Sequence, residues 1–182
     1  MIQSFLRSGA LLLVLLTLPG CGKQPIEAAI EKNDRTAVAE AVQSGADVNA
    51  TVRDGDTPLL LAAKTGQSGS AQALIEAGAD IKVRDATGNG VLHYAAQTGM
   101  TGICGLLIDR GIAVDDKGAG GATPLQLAVL GARQETAKYL VRRGASLDQK
   151  NDASMSALDI ATRGGDARFK TDLELAAKMR GN

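Results

Sequence analysis

A seven-residue stretch, Thr57-Pro58-Leu59-Leu60-Leu61-Ala62-Ala63, returns along this chain every 33 residues. One period later Gly90-Val91-Leu92-His93-Tyr94-Ala95-Ala96 holds its register, followed by Thr123-Pro124-Leu125-Gln126-Leu127-Ala128-Val129 and Ser156-Ala157-Leu158-Asp159-Ile160-Ala161-Thr162. A weaker copy, Gln24-Pro25-Ile26-Glu27-Ala28-Ala29-Ile30, lies one period earlier. A second marker keeps the same step: Gly45-Ala46-Asp47, Gly78-Ala79-Asp80, Gly111-Ile112-Ala113 and Gly144-Ala145-Ser146. Two markers locked to one period point to a stack of like units rather than a globular core.

Each unit reads as two short helices joined by turns. Thr57 and Thr123 are suited to cap a helix whose first residue is Pro, where a missing N–H costs nothing. Gly66, Gly99 and Gly165 suit a left-handed end to that helix, and Asn33 tolerates the same turn one repeat earlier. In the fourth unit Gly131-Ala132 moves the glycine by one position. A second helix follows, such as Glu135 to Arg143, and stops at the Gly144 class of residues. Composition agrees: hydrophobic residues make up 45% but aromatics only 2%, enough for thin helices packed through Ala and Leu.

This pattern resembles the ankyrin repeat, whose signature includes T-P-L-H-x-A-A and G-A-D-x-N-A. Thr57 to Ala63 and Gly45-Ala46-Asp47-Val48-Asn49-Ala50 are the nearest copies. The resemblance implies an all-α solenoid of helix–turn–helix units with connecting β-turn loops, about five repeats including caps. These fall at 26–53, 54–84, 85–117, 118–150 and 151–182. The last repeat is expected to close the stack, with a longer charged helix from about Asp166 to Arg180 that keeps Phe169, Leu173 and Ala176 as its inner stripe.

Residues 1–20 have a different character. Arg7 precedes the apolar run Ala10 to Leu18, too short to span a bilayer but suited to a secretory signal. Leu18-Pro19-Gly20-Cys21 resembles the lipobox of bacterial lipoproteins. That resemblance implies cleavage before Cys21, lipidation of its sulfur and acylation of the new terminus. Gly22 in place of Asp favours the outer membrane, facing the periplasm. Gly22 to Pro25 form a tether that reaches at most ~14 Å, so the array is expected to lie close to the membrane.

Candidate chemistry is sparse. His93 is the single histidine and stands where the ankyrin family uses His to hydrogen-bond neighbouring backbone. Cys104 shares its register with Ala71 and Ala137, which marks a buried thiol. Gly118-Ala119-Gly120-Gly121 lacks the Gly-Lys-Ser/Thr of a phosphate loop, and Asp115-Asp116 reads as a solvated acidic pair beside that turn. No catalytic set, metal site or cofactor motif emerges. The formal charge is +0, with residues 21–117 at net −4 and residues 118–150 at net +3. That is not the basic stripe of a nucleic-acid binder.

The expectation is therefore a monomeric, membrane-anchored scaffold that binds a protein. The family's contact positions, the turn tips and the exposed edge of the first helices, fall here on Arg53, Asp54, Asp56, Lys64, Arg84, Asn89, Gln97, Lys117, Leu130 and Arg163. Arg53, Lys64 and Arg84 are expected to be solvated and to contribute little to stability. Three uses compete: an immunity protein that blocks a toxic enzyme acting in the periplasm, an accessory factor that holds or protects a periplasmic enzyme, and a passive envelope spacer.

Overall fold

The computed structural model describes residues 25–179. The expected leader, the lipidated Cys21 and Arg180 lie outside the described residues. Within the described residues, ten α-helices follow one another in pairs. The first members are α1 (Pro25–Glu31), α3 (Pro58–Lys64), α5 (Val91–Thr98), α7 (Pro124–Leu130) and α9 (Ala157–Arg163). The second members are α2 (Arg35–Gln43), α4 (Ser68–Glu76), α6 (Thr101–Asp109), α8 (Gln134–Arg142) and α10 (Ala167–Met179). Each first helix packs on the first helices beside it, and the second helices form a parallel layer behind them. The described residues contain no strand, only an isolated bridge between Arg84 and Gly90 within one turn.

Local chemistry explains the helix starts. The Thr57 and Thr123 hydroxyls accept the N–H groups of Leu60 and Gln126, with Pro58 and Pro124 as the first helical residues. Ser156 does the same for Asp159 N–H, and Asp159 returns the favour to the Ser156 N–H. These bonds satisfy amides that have no partner inside the helix.

Two leucine columns at the 33-residue step fill the core. Leu59, Leu92 and Leu125 come from the first helices, and Leu74, Leu107, Leu140 and Leu173 from the second; all are buried. Ala29, Ala62, Ala95, Ala128 and Ala161 form the column that lets adjacent helices approach. The last helix has 13 residues against nine in each earlier second helix, and it buries Phe169, Leu173 and Ala176 as the sequence led one to expect.

The fourth repeat departs from expectation at its first turn. Gly66, Gly99 and Gly165 have positive φ, and Asn33 shares it, but the equivalent residue is Ala132, at φ 54. The preceding Gly131 is right-handed and serves a different need: a Cβ there would lie 2.5 Å from the Gln97 carbonyl oxygen. Close approach thus claims the glycine, and Ala132 takes the strained turn. A left-handed alanine costs roughly 1–2 kcal/mol relative to glycine. Ala132→Gly is therefore expected to raise stability by roughly 0.5–1 kcal/mol after its larger unfolded-state entropy is subtracted, measured as a higher urea midpoint with unchanged m.

Candidate interaction surface

The turns between repeats project from the first-helix layer, and side chains at their bases stitch each repeat to the next. The stitch depends on one position per repeat, the third residue of each first helix: Glu27, Leu60, His93, Gln126 and Asp159. His93 Nδ1 accepts the Gly90 N–H at 3.2 Å, and its Nε2 lies 3.0 Å from the Asp116 carbonyl oxygen. Since Nδ1 accepts, the proton resides on Nε2, which donates to Asp116. Gln126 performs both tasks with an amide. Its Oε1 accepts the Thr123 N–H, and its Nε2 donates to the carbonyls of Gln149 and Met155. Asp159, in the last repeat, only accepts. Leu60 does neither.

His93 is 0% exposed, and burial is the main influence lowering its pKa. Asp116 opposes the shift and Arg84 reinforces it. Gly118 closes the site: a Cβ there would lie 2.3 Å from Asn89 Oδ1 and 2.7 Å from the His93 ring. The histidine thus brackets its helix to the turn that leads into the next repeat, with Gly118 packed against it and no room for a substrate.

Where Leu60 leaves the second and third repeats without that bracket, an ionic cluster joins them. Lys64 Nζ is 2.8 Å from both Asp56 carboxylate oxygens and 3.2 Å from Asp85 Oδ2. It also sits 5.2 Å above the centre of the Tyr94 ring, while the Tyr94 hydroxyl donates to Asp85 Oδ2. Burial, the largest single influence, pushes the Asp85 carboxyl up, but bonds from Tyr94, Thr87 and Lys64 together hold it below the usual carboxylate range. Burial likewise pulls Lys64 down, and Asp56 and Asp85 outweigh it, so its pKa is raised.

The interaction positions read from sequence therefore divide. Asp56 is only 5% exposed and is committed to Lys64. Arg53 pairs with Glu31 at 2.9 Å and gives its backbone N–H to the buried Glu27 carboxylate. Arg84 forks onto both Asp116 oxygens at 2.6 Å and also donates to the carbonyls of Gly88 and Lys117. Arg53 and Arg84 are thus exposed, as expected, and Lys64 is half-buried, but the expectation that they contribute little is corrected: all three are paired with carboxylates, and Lys64 and Arg84 link one repeat to the next. The Asp115-Asp116 reading is corrected too. Both are half-buried; Asp115 accepts the Ser146 N–H, and Asp116 holds Arg84 and His93. Asn89 is half-buried, its Oδ1 accepting the Ala119 N–H.

The remaining positions face solvent. Asp54 occupies a turn tip at φ 58. Gln97 and Lys117 are exposed, Leu130 is 60% exposed, and Arg163 lies along Met155 with 3.1 Å between Nη1 and Sδ. Sequence reasoning missed Asp85, Tyr94 and Gln126 as inter-repeat partners. Gln126 was findable, because it stands one period from His93.

Lys64→Met strands Asp56 and takes the cation from Asp85, which keeps its bonds from Tyr94 and Thr87; both side chains are 7% exposed. The expected loss is roughly 2–3 kcal/mol, because unpaired charge is left in a covered site. Urea unfolding of the variant checks this; a loss below 0.5 kcal/mol, the range of ordinary surface changes, would return Lys64 to the solvated class.

Cys104 is buried, and burial pushes its thiol up to about 12, which leaves it unreactive. No described helix is long and apolar enough to cross a membrane. The geometry offers hydrogen bonds and charges used in stacking, and an outer row of side chains left for contact with another molecule.

A search of the curated proteins finds no significant match. A family model for ankyrin repeats matches in three copies, over residues 2–85, 70–151 and 92–168. Ankyrin repeats generally mediate protein–protein interaction, and the family is typically a non-enzymatic scaffold. With the matched spans covering most of the chain and ten paired helices stacked at the 33-residue step, this protein belongs to the ankyrin-repeat family.

Proposed function

We propose that the chain is a lipid-anchored scaffold of the cell envelope that faces the periplasm and binds a protein through its turns and first-helix edge. In this reading it acts as an immunity-type inhibitor, covering the active surface of an enzyme that would otherwise damage the envelope. The observation that carries the binding role is the division of polar groups. His93, Gln126, Lys64, Arg53 and Arg84 are spent on holding helices and turns of the stack together, while Asp54, Gln97, Lys117, Leu130 and Arg163 remain turned to solvent. Leu18-Pro19-Gly20-Cys21 supports the anchor. Two acyl chains suffice for stable attachment at ~0.8 kcal/mol per buried CH₂.

Two measurements test the reading. Radiolabelled palmitate should enter the wild type and not Cys21→Ser; failure to label the wild type removes the anchor. Cross-linking in the envelope should capture a hydrolase whose activity falls when the chain is added. A captured enzyme that keeps full activity would replace inhibition with a holding role.

A further inference from the structure

The first helices present one residue each, near their C-terminal ends, in a row with the period of the repeat: Glu31, Lys64, Gln97, Leu130 and Arg163. The two ends of this row differ in their charge balance. Glu31 is neutralised by Arg53, and Lys64 by Asp56 and Asp85. At the far end Leu130 is 60% exposed, an uncommon exposure for a residue whose 33-step equivalents are all polar. On the next first helix, Arg163 donates to the Met155 sulfur. Among the described residues Lys117, Lys150 and Arg163 make no ion pair, although Lys150 lends its field to Asp159. The carboxylates nearby are engaged or at turn tips. Asp159 accepts from Ser156, Asp115 accepts from Ser146, and Asp152 sits against Gly121. Asp148 is exposed on its turn.

An exposed leucine next to an unpaired guanidinium asks for an apolar side chain and a carboxylate together. We propose that the partner meets the fourth and fifth repeats with an extended acidic segment, placing a large apolar residue on Leu130 and a carboxylate on Arg163. Stacked helices lie about 8–10 Å apart, which an extended chain covers in two or three residues at ~3.3 Å each. The segment therefore carries its acidic residue two or three positions from its apolar one. Arg suits this role because its planar fork takes a carboxylate by two parallel bonds, while Lys117 and Lys150 add attraction at longer range. The inference rests on the scaffold reading above and adds the chemistry of the partner.

The test uses the full chain in nonionic detergent micelles and fluorescent nonapeptides in a Ser/Gly background. One peptide has a central Leu with Glu residues flanking it, a second has Lys for Glu, and a third has Ser for Leu. The Glu/Leu peptide should bind at least ten-fold more tightly than either alternative. Leu130→Ser should weaken it about ten-fold, and Arg163→Glu should reverse the preference in favour of the Lys peptide. Both residues are exposed, so circular dichroism should be unchanged. Equal affinities, no binding of any peptide, or an Arg163→Glu chain with the same preference would overturn the proposal. A second arm separates it from the scaffold reading. A photo-reactive residue at position 87, on a neighbouring turn, should capture an envelope protein, and the capture should fall in Leu130→Ser and Arg163→Glu. Capture that is indifferent to both variants ends this inference and leaves the scaffold; no capture from position 87, nor from a second photo-reactive residue placed at position 130, ends both.

Discussion

A chain lacking residues 151–182 will aggregate or melt far below the full-length protein. In the full chain α9 packs on α7 and α10 on α8. Leu125, Ala137 and Leu140 are each 0% exposed under that cover. Removing it turns them to water, and it also deletes Ile160, Phe169 and Leu173, all buried. Burial of such side chains stabilises by about 1.5–3 kcal/mol each, a sum comparable with the ~5–15 kcal/mol stability of an entire domain. The outer side of α10, where Arg168, Thr171 and Lys178 are exposed together with Leu175 and Met179, would be replaced by a more extensive apolar flank suited to self-association. Gln126 would also lose its bond to the Met155 carbonyl. Light scattering and the thermal midpoint are the measurements. Leu173→Ala in the intact chain should cost about 2–5 kcal/mol by the cavity it opens, which tests the same contact without a truncation. A truncated chain that stays monomeric with an unchanged midpoint would show that the last repeat is not a cap.

The fold was legible because its determinants repeat. A 33-residue step in Leu, Ala and Gly carries the core, the close helix approach and the turns, and no single substitution hides it. Ala132 shows where a column fails. The sequence displays a glycine one place early but not the Gln97 carbonyl that pins Gly131 there. The contact surface was less legible for a related reason. Whether Arg53, Lys64 or Arg84 is paired depends on which carboxylate the stack brings to it, and those partners lie 21 to 32 residues away. Charge type can be read from a sequence; the pairing of charges across stacked units requires the geometry. Leu130 and Arg163 were visible as exposed-edge positions, but the lack of an ionic partner for Arg163 was not.

Lowering the pH from 7 to 5 should destabilise the wild type and leave His93→Gln nearly unaffected over the same interval. Burial depresses the His93 pKa in the folded chain, so the folded state binds fewer protons than the unfolded one below about pH 6.5. Stability is therefore full above the unfolded pKa and falls as the pH drops through it, by up to about 1.4 kcal/mol per pH unit until the folded pKa is reached. The structure supplies the cause. Nδ1 accepts the Gly90 N–H, and a proton there would set two donors against each other in a site with no exposure. Glutamine cannot titrate, yet at the equivalent position Gln126 accepts from Thr123 and donates to Gln149 and Met155. The same amide at 93 can keep the Gly90 and Asp116 bonds. His93→Leu would lose both, with an expected cost of roughly 3 kcal/mol at pH 7 from two unpaired backbone groups. His93 is the single histidine in the chain, so no other side chain with an ordinary pKa titrates in this window. Urea midpoints for the three proteins at pH 7, 6 and 5 decide the matter. A pH slope in His93→Gln equal to that of the wild type would place the acid sensitivity outside the bracket.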